Sequence, residues 1–395
     1  MPGLRRKGLV FFILVLIVVF PAFISSGGNR EAEVQLTPVR RLSAAYFGTI
    51  TQVLVFDDFT RRGAYQNWLN CWNEIRSLLA DLETKLSTMS PEGDIGRFNA
   101  LRAGESTVIS DVTAGVIRMA KEAYEFTNGA FNPTVYNLVD LWGFSPRFML
   151  PGHLRRSMPY DRPGGPGTAL PDQQYIEAFT RLANFSNVFL SVDHLGRNIL
   201  TKMGEDEVVR GRTYSLQLDL GAIGKGYAAD RVAEVLRRHG FRYGFVNLGS
   251  SSFHLLGYHT STSWPSNEFA ATFGLWPINI RSPFDPNRFF FTVYGRNESV
   301  STSGSYERYY FIDGRRFSHI IDPRTGFPAY DHILSATFVG GSGAWSDAIT
   351  TALCVMSIDE AQRFIDSYLQ NYKVILILND GRVISNTSRF TLHPQ

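Results

Sequence analysis

Between residues 64 and 86 the hydrophobic positions recur every three or four residues, the spacing that gathers side chains on one face of an α-helix. These positions are Trp68, Trp72, Ile75, Leu79, Leu82 and Leu86. A single stripe of this length predicts a helix that packs on its own domain, with a coiled coil as the alternative. A second helix is predicted to start at Ser110 or Asp111 as cap and to end before Gly129.

Shorter apolar runs, bounded by turn residues, predict strands along the rest of the chain. They lie at about 47–56, 214–220, 243–248, 289–294 and 309–321, the last broken into a hairpin by Asp313-Gly314. Further helices are predicted at 225–239, after Ser346 and at 358–368, followed by a hairpin at Asp380-Gly381. Because strands adjoin hairpin turns and helices separate groups of strands, the pattern predicts an α+β fold with mixed or antiparallel sheets and packed helices. Residues 145–173, rich in Pro, Gly and Arg, predict a loop.

The first 28 residues have the pattern of an export signal. Arg5-Arg6-Lys7 precedes an apolar run at 9–24 and the small residues 25–28. Sixteen apolar residues in a helix rise about 24 Å, which is less than the roughly 30 Å of a hydrocarbon core. We therefore expect residues 1–28 to be a cleaved signal peptide or a membrane anchor. Either one places the rest of the chain at the periplasmic face of the cytoplasmic membrane, with membrane contact through this segment.

Composition and charge narrow the class of protein. Hydrophobic residues make up 44% of the chain and charged residues 19%, as in an ordinary globular protein. Arg5, Arg6 and Lys7 account for the whole net charge of +3, so the remainder is neutral and has no basic field for nucleic acid. Cys71 and Cys354 are too few for a disulfide framework or a zinc cluster, and we predict two buried free thiols.

Three segments carry candidate chemistry, and the first is 218–230. Its pattern predicts a strand, a turn with three glycines and a helix that begins at Lys225. Glycines allow close backbone approach, while helix-start N–H groups and a lysine favour an anion such as phosphate. The segment matches neither the Walker nor the Rossmann sequence. On its own it fits a phosphate site and a tight structural turn equally well.

The second segment is 318–328, where an Asp-Pro-Arg-Thr-Gly turn follows a histidine. His319 and Asp322 lie three residues apart, which places an imidazole near a carboxylate. A lone histidine is more often structural than catalytic, but an Asp and an Arg beside it on a turn favour a functional role.

The third segment is 346–353. Ser346 is predicted to cap a helix, which places Asp347 in its first turn and Thr351 on the same face at i+4. A carboxylate and a hydroxyl suit a hard cation such as Mg²⁺. The alternative is that Asp347 stabilises the helix N-terminus and that Thr351 bonds back along the helix.

These three segments, in this order, resemble the ApbE family of FAD:protein FMN transferases. Several other pieces fit the same family: Phe47-Gly48-Thr49, Gly129–Val135, Leu141–Phe144, Trp276–Ile280 and Ser301–Arg308. The similarity extends from about Ala45 to about Asn386, which predicts one ApbE-like catalytic domain at 45–390.

The resemblance implies binding of FAD and Mg²⁺, transfer of FMN to a Thr or Ser hydroxyl of an acceptor protein, and release of AMP. It implies a metal site made by Asp347, Thr351 and the carbonyl of Ala222. It assigns His319 to activation of the hydroxyl, and we expect Asp322 to orient His319. It places FAD against Phe47, Trp142, Gly143, Phe144, Asp219, Lys225 and Ile321. The expected partners are exported or membrane-bound acceptor flavoproteins, such as redox-pump subunits.

The sequence also departs from the family pattern. Phe47 stands where the family usually has Met, and Asn132 where it has Asp. Ser251 and Ser305 stand where it has Asp or Asn. Two alternatives to the transferase therefore remain. One is an FAD pyrophosphatase, which hydrolyses FAD to FMN and AMP, and the other is a non-catalytic FAD-binding protein.

Overall fold

The computed structural model describes residues 38–149, 169–259, 274–330 and 332–393. The predicted signal segment and the centre of the predicted loop at 145–173 lie outside these ranges. Within them, no helix combines the length and the apolar character needed to cross a membrane.

Groups of strands alternate with helices along the chain. The helices are α1 (Ala64–Leu86), α2 (Asp94–Ala100), α3 (Asp111–Phe126), α4 (Tyr136–Leu141), α5 (Gln173–Leu182), α6 (Gly221–Arg238), α7 (Gly343–Val355) and α8 (Ile358–Tyr368). The strands are β1 (Pro38–Tyr46), β2 (Thr49–Phe56), β3 (Ser106–Ile109), β4 (Val188–Val192), β5 (Asn198–Lys202), β6 (Glu207–Val209), β7 (Arg212–Tyr214), β8 (Tyr243–Leu248), β9 (Ser252–Leu256), β10 (Trp276–Arg281), β11 (Phe289–Gly295), β12 (Ser299–Gly304), β13 (Tyr309–Ile312), β14 (Arg315–Ser318), β15 (Ile333–Val339), β16 (Lys373–Leu378), β17 (Val383–Ser385) and β18 (Phe390–Leu392).

An eight-stranded sheet with the order β1-β2-β8-β9-β12-β15-β16-β17 forms the centre of the fold, and all of its pairs are antiparallel. Successive side chains of a strand point to opposite faces, and both faces of this sheet are covered. In β16, Val374 and Leu376 join the cluster formed with the helices. Ile375 and Ile377 join a second cluster with β10 and β11. Helices α6 and α7 therefore pack on a sheet whose opposite face is also covered.

The structure confirms the α+β prediction and much of its detail. All six apolar positions of α1 are buried in the core of its own domain, which excludes the coiled-coil alternative. Ser110 caps α3 by accepting from the N–H of Thr113. The hairpins at Asp313-Gly314 and Asp380-Gly381 form as β13–β14 and β16–β17. Cys71 and Cys354 are buried free thiols.

Three boundaries were wrong. The predicted strand at 214–220 ends at Tyr214, and the chain then runs without regular structure into α6. The expected glycine turn is instead the start of α6, which begins at Gly221 rather than Lys225. Ser342, not Ser346, caps α7, because its hydroxyl accepts from the N–H of Trp345.

Candidate functional site

The start of α6 and the residues just before it carry three of the predicted site residues, Asp219, Ala222 and Lys225. Asp219 lies just before the helix, and its Oδ1 accepts from the N–H of Gly221 at 2.8 Å. Lys225 lies one turn further on, and its Nζ donates to the carbonyl of Gly221 at 3.2 Å. A carboxylate, a lysine and the start of an 18-residue helix therefore meet at one point.

Phe47 lies beside this turn. It occupies the tight turn between β1 and β2 with φ of 54°, in the left-handed region. Its N–H donates to Oε1 of Glu83 on α1 at 2.7 Å, which holds the strained turn in place. A Cβ added to Gly224 would lie 3.9 Å from Cε1 of Phe47, so this aromatic ring lies over the helix start.

Asp347 enters the site from α7, one turn inside the helix rather than in the first turn as predicted. Its side chain is buried, with 6% of the residue exposed. Oδ2 accepts from the N–H of Gly226 on α6 at 2.7 Å, and Oδ1 accepts from the hydroxyl of Ser252 on β9 at 2.7 Å. The structure thus joins the first and third predicted segments directly.

Thr351 follows one turn later on α7. Its hydroxyl donates back to the carbonyl of Asp347 at 3.1 Å, as in the structural alternative. A hydroxyl that donates keeps two lone pairs on its oxygen. The hydroxyl of Ser303 lies 3.3 Å from that of Thr351 and can occupy one of them, which leaves the other for a ligand.

The oxygen groups of Asp347, Thr351 and the Ala222 carbonyl are of the kind that Mg²⁺ prefers. Both oxygens of the buried Asp347 carboxylate accept hydrogen bonds from neutral groups, the N–H of Gly226 and the hydroxyl of Ser252. Burying a carboxylate charge is costly, and a cation beside it lowers that cost. No cluster of three or more His, Cys, Asp or Glu side chains suited to a metal occurs among the described residues. The expected Mg²⁺ site is not such a cluster. It consists of one carboxylate, one hydroxyl and one backbone carbonyl, which leave room for water and phosphate oxygens.

Lys225 is the shared neighbour of the predicted polar groups. Burial raises the pKa of Asp347, and the positive charge of Lys225 is the largest opposing influence. Burial likewise raises the pKa of Asp219, against the N–H of Gly221 and the charges of Arg308 and Lys225. Lys225 also helps to lower the pKa of His319. The charge of Lys225 thus acts on Asp219, His319 and Asp347 alike.

His319 lies after the hairpin β13–β14. Its Nδ1 is 3.3 Å from the carbonyl oxygen of Arg308, which also accepts from the His319 N–H at 3.0 Å. Desolvation, followed by the positive charge of Arg308, lowers the pKa of His319 to about 3. The imidazole is therefore neutral near pH 7.

Asp322 does not orient His319, contrary to the prediction. Its carboxylate accepts from Nε and Nη2 of Arg324, each at 2.9 Å, and from the N–H of Arg324. No hydrogen bond joins Asp322 to His319 in the described structure. Its backbone carbonyl accepts from Thr325 and Gly326, so Asp322 stabilises the turn after the histidine. The short Asp-x-Arg spacing satisfies the carboxylate locally and leaves the backbone of Arg308 as the partner of His319.

The Trp142-Gly143-Phe144 stretch packs against the inner face of the hairpin. Trp142 is fully buried, stacks on Phe317 at 5.2 Å and donates from Nε1 to the carbonyl of Gly326 at 2.8 Å. Phe144 stacks on Tyr310 at 5.0 Å, and its ring centroid lies 6.4 Å from that of His319. The rings of Trp142 and Phe144 thus pack against the hairpin that precedes His319.

The other two residues of the predicted FAD set, Gly143 and Ile321, can offer only backbone atoms to a ligand. Gly143 has φ of 82° and turns the chain between Trp142 and Phe144. The side chain of Ile321 is buried in the core, and its backbone bridges to Pro328 across the turn.

Arg308 lies at the site, although the sequence did not predict a role for it. Its charge acts on both Asp219 and His319, and its Nη1 donates to the carbonyl of Phe144 at 3.3 Å. An arginine next to a hairpin is common in sequences, so only the three-dimensional arrangement identifies its position.

The three polar departures from the family pattern have local partners. Asn132 donates to the carbonyl of Ala183 at 2.8 Å, a bond that an aspartate cannot make. The hydroxyl of Ser305 accepts from Arg316 at 3.1 Å, and that of Ser251 donates to the carbonyl of Leu248 at 3.3 Å. Each of these side chains is therefore part of the scaffold around the site.

Comparison with known proteins identifies the family of this chain. A model of the ApbE family matches residues 47–376. This chain belongs to the ApbE family. A Treponema pallidum FAD:protein FMN transferase is 30% identical over 96% of this chain and 94% of its own length. A Salmonella typhimurium protein of the same name is 27% identical over 86% and 84% of the two chains.

Solved ApbE structures share the fold. The flavin transferase ApbE from Vibrio cholerae superposes with a TM-score of 0.67 at 24% identity, over 88% of this chain and 96% of that one. The ApbE protein from Thermotoga maritima gives the same TM-score and identity over 87% and 96% of the two chains. At this identity the structural likeness supports the fold, and the sequence relatives support the family.

Proposed function

We propose that this protein is a Mg²⁺-dependent FAD:protein FMN transferase. It would move FMN from FAD to a Thr or Ser hydroxyl of an acceptor protein and release AMP. The observation that carries the proposal is the bond from Gly226 to Asp347, which joins α7 to the start of α6 where the charge of Lys225 acts on Asp219, His319 and Asp347. Phosphoryl transfer needs a clamp for the phosphate charge and a group that takes the proton of the hydroxyl, and this cluster offers both.

The diphosphate of FAD would lie at the start of α6. The N-terminal end of a helix and a lysine side chain both attract anions, and Lys225 combines the two features. Asp347, Thr351 and the carbonyl of Ala222 would hold Mg²⁺, which when bound neutralises charge on the phosphate oxygens. Phe47 offers an aromatic face beside the helix start for a flavin or adenine ring.

His319 would accept the proton of the incoming hydroxyl at Nε2. A carbonyl oxygen can only accept, so the contact with Arg308 makes Nδ1 the protonated nitrogen and leaves the lone pair on Nε2. The hydroxyl oxygen forms a bond to the phosphorus of the FMN half as the bond from that phosphorus to the AMP oxygen breaks. The electron pair leaves with AMP, and His319 passes the proton on to solvent, because burial disfavours its charged form.

The acceptor is expected to be an exported or membrane-bound flavoprotein, such as a redox-pump subunit. This part of the proposal rests on the basic and apolar pattern of residues 1–28, which would place the catalytic domain at the periplasmic face.

One product assay tests the proposal. The protein is incubated with FAD, MgCl₂ and a purified redox-pump subunit domain that carries the acceptor threonine. Protein-bound flavin fluorescence that survives denaturation, together with equimolar AMP, is the expected result. Free FMN with AMP would indicate the pyrophosphatase, and unchanged FAD would indicate a binding protein. Either outcome overturns the transferase assignment. The subunit domain with its threonine changed to valine is the control for the site of attachment.

A further inference from the structure

Helices α6 and α7 are joined by a reciprocal exchange of hydrogen bonds. Each helix carries a glycine and, four residues later, an aspartate: Gly226 and Asp230 on α6, Gly343 and Asp347 on α7. Asp347 accepts from the N–H of Gly226 at 2.7 Å. Asp230 accepts from the N–H of Gly343 with both oxygens, at 2.8 and 2.7 Å. We call these four residues the Gly–Asp clasp.

The two glycines allow the backbones to touch. A Cβ on Gly226 would overlap the carbonyl oxygen of Gly343, and a Cβ on Gly343 would overlap that of Gly226. Residues at i and i+4 share one face of a helix, so each aspartate lies directly above the glycine contact. The clasp therefore fixes both the separation and the register of α6 and α7.

Asp230 also completes the N-terminus of α7. The first four N–H groups of a helix lack partners inside it. Here Gly343 and Ala344 donate to Asp230, while Trp345 donates to the hydroxyl of Ser342. The loss of Asp230 would leave the N–H groups of Gly343 and Ala344 without their acceptor.

Asp230 is itself held from behind by a histidine. Nδ1 of His254 lies 2.8 Å from Oδ1 of Asp230, and Nε2 faces Nη2 of Arg237 at 2.9 Å. An arginine can only donate, so Nε2 accepts and Nδ1–H points at the carboxylate. The hydroxyl of Ser299 adds a contact to Oδ1 at 3.3 Å. Asp230 is thus a fixed anchor rather than a mobile surface acid.

We propose that Asp230 is a positioning residue for the metal end of the site, and this rests on the proposed function. By holding α7 on α6, it keeps Asp347 on the N–H of Gly226. In a regular helix that N–H points along the axis toward the carbonyl of Ala222, one turn earlier. The bond from Gly226 to Asp347 therefore places Asp347 beside the turn that carries the second expected Mg²⁺ ligand, and Asp230 sets this geometry without touching the ion.

The test measures Mg²⁺ binding to the FAD-free protein by calorimetry. Asp230→Asn keeps one oxygen but turns an amide toward two N–H groups, and we expect the Kd for Mg²⁺ to rise about tenfold. The Kd for FAD without metal should change less than threefold. Ser110→Ala removes the corresponding hydroxyl cap of α3 and serves as the control, with an unchanged Kd for Mg²⁺. A Kd within twofold of the wild-type value in Asp230→Asn overturns the proposal.

A second measurement needs no variant. If the clasp strengthens Mg²⁺ binding, Mg²⁺ must strengthen the clasp by the same factor. Amide exchange at Gly343 and Ala344 in the wild-type protein should slow about tenfold at saturating Mg²⁺, and unchanged exchange would refute the role. If the wild-type protein binds no Mg²⁺ at all, the metal site of the proposed function fails and the positioning role fails with it. Normal binding with an unaffected variant removes Asp230 alone.

Discussion

Nδ1 of His319 faces the backbone carbonyl of Arg308, so a main-chain group and not a carboxylate determines which ring nitrogen is free. A carboxylate partner would favour the imidazolium form. The carbonyl supplies no charge, and the nearby guanidinium of Arg308 disfavours a second positive charge. The histidine is thereby kept in the form that accepts a proton.

The pH dependence of transfer follows from this arrangement. The pKa of His319 is lowered to about 3, and the neutral form is the active base, so its contribution is present above about pH 3 and is lost below it. We expect single-turnover transfer rates between pH 5 and 8 to show no loss centred near 6.5, the ordinary histidine value. An acid limb near pH 6.5 that disappears in His319→Asn would contradict this.

Replacing the expected metal ligand should separate metal binding from folding. Asp347→Asn keeps an oxygen that can accept from Ser252 or Gly226 but removes the charge. We expect the Mg²⁺-stimulated rate of AMP release to fall at least a hundredfold, while the circular dichroism spectrum is unchanged. Asp359→Asn, on the exposed start of α8, is the control. Undiminished stimulation by Mg²⁺ in Asp347→Asn would exclude this ligand.

Asp322 is expected to matter for stability and not for chemistry. Asp322→Asn breaks the paired contact with Arg324 at a largely buried carboxylate, which should lower the free energy of unfolding by about 1–3 kcal/mol. The transfer rate at 20 °C should stay within threefold of the wild-type rate. Denaturant unfolding and the transfer assay measure the two effects separately. A large rate loss with unchanged stability would restore the catalytic role.

The glycine contact between α6 and α7 predicts opposite effects for two similar substitutions. Gly226→Ala forces a methyl group into the backbone of Gly343 and should lower the free energy of unfolding by more than about 3 kcal/mol. Gly115→Ala, in α3, meets only Tyr227 Oη at 4.0 Å and should stabilise by about 0.5–1 kcal/mol through helix propensity. Equal effects of the two substitutions on the urea midpoint would show that the close approach is not needed.

Local patterns in the sequence predicted the elements whose stability is local. The stripe of α1, the Ser110 cap and the two Asp-Gly hairpins formed where expected, since side-chain periodicity and turn chemistry act over a few residues. The start of α6 was placed too late because three glycines suggested a turn. Those glycines are helical, and Gly226 is required by a helix 117 residues away in the chain.

The site residues were predicted as a set, but not their connections. The bond from Gly226 to Asp347 and the shared neighbourhood of Lys225 depend on long-range packing, which no local spacing specifies. The same limit explains the wrong pairing of His319 with Asp322. Residues three apart were assumed to meet, whereas the turn gives Asp322 its own arginine two residues later.

The two cysteines bear on the redox conditions in which this chain can fold. Cys71 and Cys354 are both buried without a disulfide, and burial raises the pKa of the Cys71 thiol to about 12. Reaction with oxidants needs an accessible thiolate, which the folded state withholds from Cys71. The folded protein should therefore tolerate reducing and oxidising surroundings alike, with no need for a disulfide catalyst to reach its final form.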